Sequence, residues 1–322
     1  MAIGSGLGAT CGFVAEATVG TPVTVTRWPF MVSESFTGHK KVVESSALAG
    51  SVLQAASHRA VVGYESNGQI VFELQDRQLG LFFANMLGAA PTITGAGPYV
   101  QTTNLGNPTG MSFTTQIGRP TSTGTMEPFT YNGCKIKSWE ISCSQGQIAK
   151  LTLGVDGWQE VTTTSYAAPS VVASNAFNFT GGALTYGAAA PVGIVRNVTM
   201  KGTWGLATER FQIGSLYKSE QLVNNWLQLE TTATIEFANL SDVYNAYAAD
   251  TQQAIVLSFT GPIISGSTNS SLVITAASSF FNAGPPAVSG PDLITQAVSS
   301  VSLLPNSGTA LSFVYTTLDA AE

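Results

Sequence analysis

A period of two governs this chain. Across 198–204, Val198, Met200, Gly202 and Trp204 alternate with Thr199, Lys201 and Thr203. Successive side chains of a strand point to opposite faces, so this spacing puts the apolar set on one side of a sheet. Ile136, Ser138 and Glu140 fall on one face with Trp139 and Ile141 opposite, and Leu151 and Leu153 flank Thr152. Alternation of this kind belongs to antiparallel strands buried on one face, because parallel strands covered on both faces read as continuous apolar runs. A mainly β fold follows.

Helical periodicity is clear only over residues 75–88. There Leu79, Phe82, Phe83, Met86 and Leu87 recur at helical spacing, Asp76 stands where an N-cap is expected, and Gly88 where a C-cap glycine is expected. One amphipathic helix packed on a sheet is predicted.

The same order of elements recurs. GYESNGQIVFELQDRQLGLFFANML, starting at Gly63, has an echo in QLETTATIEFANLSDVYNAYAAD, with Ile70 falling on Ile235. In both, a strand carrying an acid feeds into a short helix, although the second helical segment is shorter and more polar. IKSWEISCSQGQIAKLTLGVDG is mirrored by AVSSVSLLPNSGTALSFVYTTLD, with Gly146 on Gly308, which predicts two strands around a glycine turn each time. WPFMVSESF is likewise matched by VRNVTMKGTW. Three blocks in one order at nearly constant offset point to a duplication. The Thr-, Ser-, Ala-, Pro- and Gly-rich stretch between the halves reads as a linker. We therefore expect a first domain at 1–165, a linker at 166–193 and a second domain at 194–322. Residues 38–62 interrupt the first domain as a long irregular loop, and long loops on rigid scaffolds tend to carry a function. The first 20 residues, with Gly4, Gly6 and Gly8, read as a flexible arm that orders on assembly.

Charge narrows the function. Charged residues make up only 10% of the 322, against an apolar content of 44%. A monomer so sparsely charged would be poorly soluble, which is resolved if much of its surface faces other copies of itself. All 13 Lys and Arg lie at or before Lys218, and the eight acids beyond it have no basic residue among them. A nucleic-acid reader shows the opposite bias. Cys11, Cys134 and Cys143 form neither a CxxC pair nor an even framework, so neither disulfides nor zinc are expected. The N-terminus lacks the charged and apolar regions of a signal peptide, and no run approaches a membrane helix.

Signatures of catalysis are missing: no HExxH, GxSxG or P-loop occurs. His39 and His58 lie in the 38–62 loop among basic neighbours and read as solvated positions. Glu65, Glu73 and Asp76 read as separate solvated acids rather than an acid/base pair. The aromatic set Phe72, Phe82, Phe83, Trp139 and Trp158 reads as core packing. No enzyme activity, metal or cofactor is expected.

The sequence GYESNGQIVFEL followed at once by QLGLFFANMLG, then SFTTQIG, then YNGCKIKSWEISCSQGQIAKLTLGVDGW, resembles the tail tube proteins of siphophages, particularly those of duplicated type. The resemblance covers most of 28–160 and more faintly 194–319. It implies two tandem β-sandwich or split-barrel domains, each with one packed helix, whose strands join those of neighbouring copies into a barrel lining a lumen. A duplicated subunit closes as a trimer with pseudo-sixfold symmetry, and rings stack into a smooth tube through which double-stranded DNA passes unread. The implied partners are further copies of the chain, a tape measure protein, and tail terminator and tip proteins. The implied location is the virion tail, assembled in the host bacterial cytoplasm. An acidic lumen is expected, and Lys40, Lys41 and Arg59 in the 38–62 loop are expected to contact an adjacent ring. The rival readings are a secreted or surface adhesin or carbohydrate-binding module, which would carry an export signal, and a capsid or baseplate protein.

Overall fold

The alternation is realised as antiparallel ladders throughout. The computed structural model describes residues 4–48, 50–187, 194–240, 243–282, 284–288 and 290–321. In chain order the strands are β1 (Thr10–Ala15), β2 (Met31–Glu34), β3 (Thr37–Glu44), β4 (Arg59–Glu73), β5 (Thr92–Thr94), β6 (Tyr99–Asn104), β7 (Phe113–Pro120), β8 (Met126–Ser144), β9 (Lys150–Gly157), β10 (Gln159–Val161), β11 (Gly182–Tyr186), β12 (Val195–Leu206), β13 (Val223–Glu236), β14 (Gln253–Ser265), β15 (Thr268–Phe281), β16 (Thr295–Ser302) and β17 (Leu311–Thr317). Helix α1 (Gly80–Leu87) follows β4 and helix α2 (Tyr244–Ala248) follows β13.

Three sheets result. A long sheet runs β3–β4–β9–β8–β12–β13–β16, with β2 also on β4. A second sheet runs β5–β6–β17–β15–β14–β11 and is joined to the long one where Ser279–Phe281 of β15 pair with Ser302–Ser300 of β16. A side sheet runs β1–β7–β8–β10. The 19-residue β8 serves two of them, its first half lying in the side sheet and its second half in the long sheet. The halves of the chain meet at two seams. Asn197–Thr203 of β12 pair with Ser144–Ser138 of β8, and β17 pairs with β6.

The long and second sheets pack face to face on one aromatic core. Trp139 meets Phe313 edge-on at 5.6 Å, and Phe83 of α1 meets Phe313 and Tyr315 at 5.5 and 5.1 Å. Phe82 stacks on Phe13 at 3.9 Å and also touches Phe72 and Phe113. Gly202 faces Trp139 across the seam, where an added Cβ would come within 2.3 Å of the indole. The glycine is therefore the space the tryptophan occupies.

Several expectations change. All eight residues of α1 are buried, so the helix is a plug in the core rather than an amphipathic element on its surface. Gly88 closes it in the left-handed conformation, as expected. Asp76 does not cap it, because residues 76–78 are held by the C-terminal strand. Arg77 donates two bonds to Asp319, the Gln78 amide donates to the same carboxylate, and Thr317 Oγ1 donates to the Asp76 carbonyl. Asp76 instead accepts from the Asn175 amide and side chain at 2.8 and 3.0 Å. In β8 a bulge between Ile136 and Ser138 turns Ile136, Trp139 and Ile141 all toward the core, so strict alternation fails there. The first glycine turn joins the β8–β9 hairpin, but the second does not make a hairpin: β16 pairs with β13 and β15, and β17 with β15 and β6. The chain crosses from one sheet to the other there. Residues 10–15 are a strand rather than part of a flexible arm, and residues 38–62 are mostly the β3–β4 hairpin. Within 166–193, Phe177 is buried and β11 pairs with β14.

The connection between β12 and β13 binds the halves further. Buried Lys218 donates to Asp156 at 2.7 Å, and Gln221 Nε2 donates to the same carboxylate at 2.8 Å. Lys135 pairs with Glu220 and donates to the Pro108 carbonyl. Burial pushes the Asp156 carboxyl above its ordinary pKa and the Lys135 ammonium below its own. Burial also works against the charge of Glu220, but bonds from Lys135 and the Gly110 amide outweigh it and hold that carboxyl below its usual range.

Two substitutions test this architecture. Lys218→Met, which leaves Asp156 buried and unpaired, should lower unfolding stability by about 3–5 kcal/mol in urea titration, and adding Asp156→Asn should restore most of the loss. Gly202→Val should cost about 1–3 kcal/mol by overpacking against Trp139, seen as a lowered thermal midpoint.

Candidate assembly surfaces

The long sheet has one face in the core and one open. Register assigns the open face row by row. One row is Gln69, Gly154, Ser138, Thr203 and Gln228; the next is Val71, Thr152, Glu140, Lys201, Glu230 and Val301. A third row is Glu73, Lys150, Ser142, Thr199, Thr232 and Ser299. Serine and threonine are the commonest residues in these rows of the face. Its charges alternate in register, with Glu73 opposite Lys150 and Lys201 between Glu140 and Glu230.

Few acids of the C-terminal third reach this face. Glu220 pairs with Lys135, Glu236 with Arg196 and Asp319 with Arg77, and only Glu230 stands in these rows. Three of the eight acids of that surplus are therefore engaged in ion pairs within the chain.

Lys40, Lys41 and Arg59 all lie on the β3–β4 hairpin, but they are not equivalent. Lys41 contacts Glu65 at 3.2 Å and Glu209, and its ammonium sits 4.3 Å from the centre of the Phe211 ring. Desolvation works against its charge, yet the two carboxylates hold it above its ordinary pKa. Arg59 pairs with Glu44 across the hairpin at 3.2 Å. Exposed Lys40 has no carboxylate partner among the described residues. His39 bonds Thr37 at 3.0 Å. Glu65, Glu73 and Asp76 are dispersed, on Lys41, opposite Lys150 and on Asn175 respectively.

Beyond its base the hairpin forms an arm. Residues 43, 44 and 59–62 are exposed, and the turn carries Leu48, Val52 and Leu53 almost fully in solvent. At the opposite margin of the long sheet, and at the same end of its strands, Trp204, Val223, Trp226, Leu303, Leu304 and Leu311 line a groove of about 370 Å³. Trp226 is 86% exposed and Leu304 81%. Sequence reading missed this groove; the one signal was an aromatic at position 226 out of step with the alternation of Leu227 and Leu229.

A larger cavity of about 580 Å³ lies between β11, β14 and β12, lined by Phe179, Leu184, Ile194, Val198, Phe259 and Cys143 among others. It is apolar and brings no set of ionisable groups together. Among the described residues no cluster of three or more His, Cys, Asp or Glu stands ready for a metal, and no helix is long and apolar enough to cross a membrane. Cys11, Cys134 and Cys143 are separate buried thiols, and burial pushes Cys11 up to about 12.

The chemistry of these surfaces is that of contact: an open polar sheet, an exposed arm and an apolar groove. No curated protein matches the chain. The family model of phage tail tube proteins matches residues 6–309, spanning most of both halves, the β8–β12 seam and the arm. The chain therefore belongs to the phage tail tube protein family, whose members are structural components of the virion tail.

Proposed function

We propose that this chain builds the tube of a long, flexible siphophage tail, and that the tube is the conduit for double-stranded DNA into the host bacterium. Three copies join edge to edge into a ring, with residues 1–165 and 194–322 acting as pseudo-equivalent units around a pseudo-sixfold axis. The observation that carries this reading is the long sheet. It runs without interruption through both halves at the β8–β12 seam, and one of its faces is left polar and uncovered. Closing such a sheet on further copies removes the open edges that would otherwise aggregate.

The open face suits a lumen wall. A surface of hydroxyls and alternating charges offers DNA neither the cationic array that displaces counterions from phosphates nor an apolar platform on which bases stack. The rings stack without a closing operation. Exposed Lys40, with Lys41 and Arg59 beside it, faces the adjacent ring. The partners are a tape measure protein within the growing tube and terminator and tip proteins at its ends, with assembly in the bacterial cytoplasm. Family membership disfavours the adhesin reading, and the continuous sheet favours a tube over a capsid or baseplate role.

Electron microscopy of the purified protein over a concentration series, with mass photometry, should give hollow tubes or rings of three chains. Six-chain rings would remove the pseudo-sixfold reading, and a monomer at every concentration would remove self-assembly. Thr232→Cys on the open face should react with a bulky maleimide in the dissociated chain and be protected in the tube. Equal labelling in both states would put that face outside.

A further inference from the structure

Two apolar features stand unpartnered at one end of the long sheet, the tip of the β3–β4 arm and the Trp226–Leu304 groove. They differ in shape, one a knob and the other a hollow, and so are complementary to each other. A complementary knob and hollow on one chain make a heterologous contact, which closes into a ring or runs on as a fibre. Neither feature is charged: residues 45–57 contain no ionisable side chain, nor do 221–229 or 302–311. Charge depletion with an aromatic anchor is the composition of an interface centre.

Their placement selects between ring and fibre. Following the register from Gln69 across to Gln228, the direction that leads along β4 to the arm leads along β12, β13 and β16 to the groove. Arm and groove therefore share one end of the long sheet and stand at its two lateral margins. The chain also contains a version of the contact. Residues 207–222 join β12 to β13 as the arm joins β3 to β4, and they lean back over the preceding half. Lys218 reaches Asp156 on β9, Glu220 reaches Lys135 on β8, and Tyr217 stacks with Tyr64 of β4 at 5.8 Å. Repeated around a ring, the same step carries the arm of one copy back over the β13–β16 end of its neighbour, where the groove lies.

We infer that the apolar tip of the β3–β4 arm seats in the Trp226–Leu304 groove of the next copy in the same ring. This rests on the ring reading above, and it assigns the tip a role within the ring, leaving Lys40 at the arm's base to face the adjacent one. The three native thiols are buried, so introduced cysteines report alone. In the full chain carrying Leu53→Cys and Leu304→Cys, mild oxidation of assembled protein should give a disulfide ladder on a non-reducing gel. The ladder should end at the number of chains counted per ring by microscopy, and each single variant should give none. A ladder running past that number, or tubes without cross-links, would overturn the contact while leaving the tube standing; a chain that stays monomeric without cross-links would overturn both. Trp226→Glu, at a position already in solvent in the free chain, should keep its thermal midpoint yet raise the concentration needed for assembly at least about tenfold. Assembly at the parent concentration would equally overturn the contact.

Discussion

The pairing of β8 with β12 is the constraint on which the rest depends. It is one ladder of seven residue pairs, yet it converts two sheets of three or four strands into one sheet with a single core face and a single open face. Without it neither half would bury its apolar set alone, because Trp139 of the first half packs against Phe313 of the second and fills the space left by Gly202. Hydrophobic burial and ladder hydrogen bonds therefore reinforce each other at the seam.

The connection from β12 to β13 locks that seam at one end through buried ion pairs. Such pairs give little net stability against an apolar alternative, but they punish any arrangement that leaves one partner unmatched. Lys218, Asp156, Lys135 and Glu220 thus fix where the second half sits on the first. At the far end of the chain, Asp319 does the same for the loop before α1, binding Arg77 and the Gln78 amide.

What remains outside is a division of surfaces. The open face keeps small hydroxyls and matched charges, the arm carries apolar side chains into solvent, and the groove waits at the opposite margin. Large exposed apolar patches on a protein with so few charges mark contact surfaces. Membership of the tail tube family gives them a purpose in a tube built from many copies.

Residue by residue, the sequence determined the strand faces, the β4-to-α1 order and the closing role of Gly88, because these follow from local periodicity and backbone freedom. Val198, Met200, Gly202 and Trp204 face inward as their spacing requires. It did not determine where alternation breaks, since the bulge at Ile136 and Ser138 depends on which neighbour each strand meets. Nor did it determine that α1 is buried on every side, that Asp76 binds Asn175 instead of capping a helix, or that the strands around Gly308 part to different sheets. Those outcomes depend on groups distant in the chain, such as Phe313 for α1 and Asn175 for Asp76. The arm read as an irregular loop because a hairpin solvated on both faces has no reason to alternate, and the groove escaped notice because its walls come from separated segments. Local pattern records which face of an element is buried; only the packing of distant elements decides what buries it and what is left open for another copy.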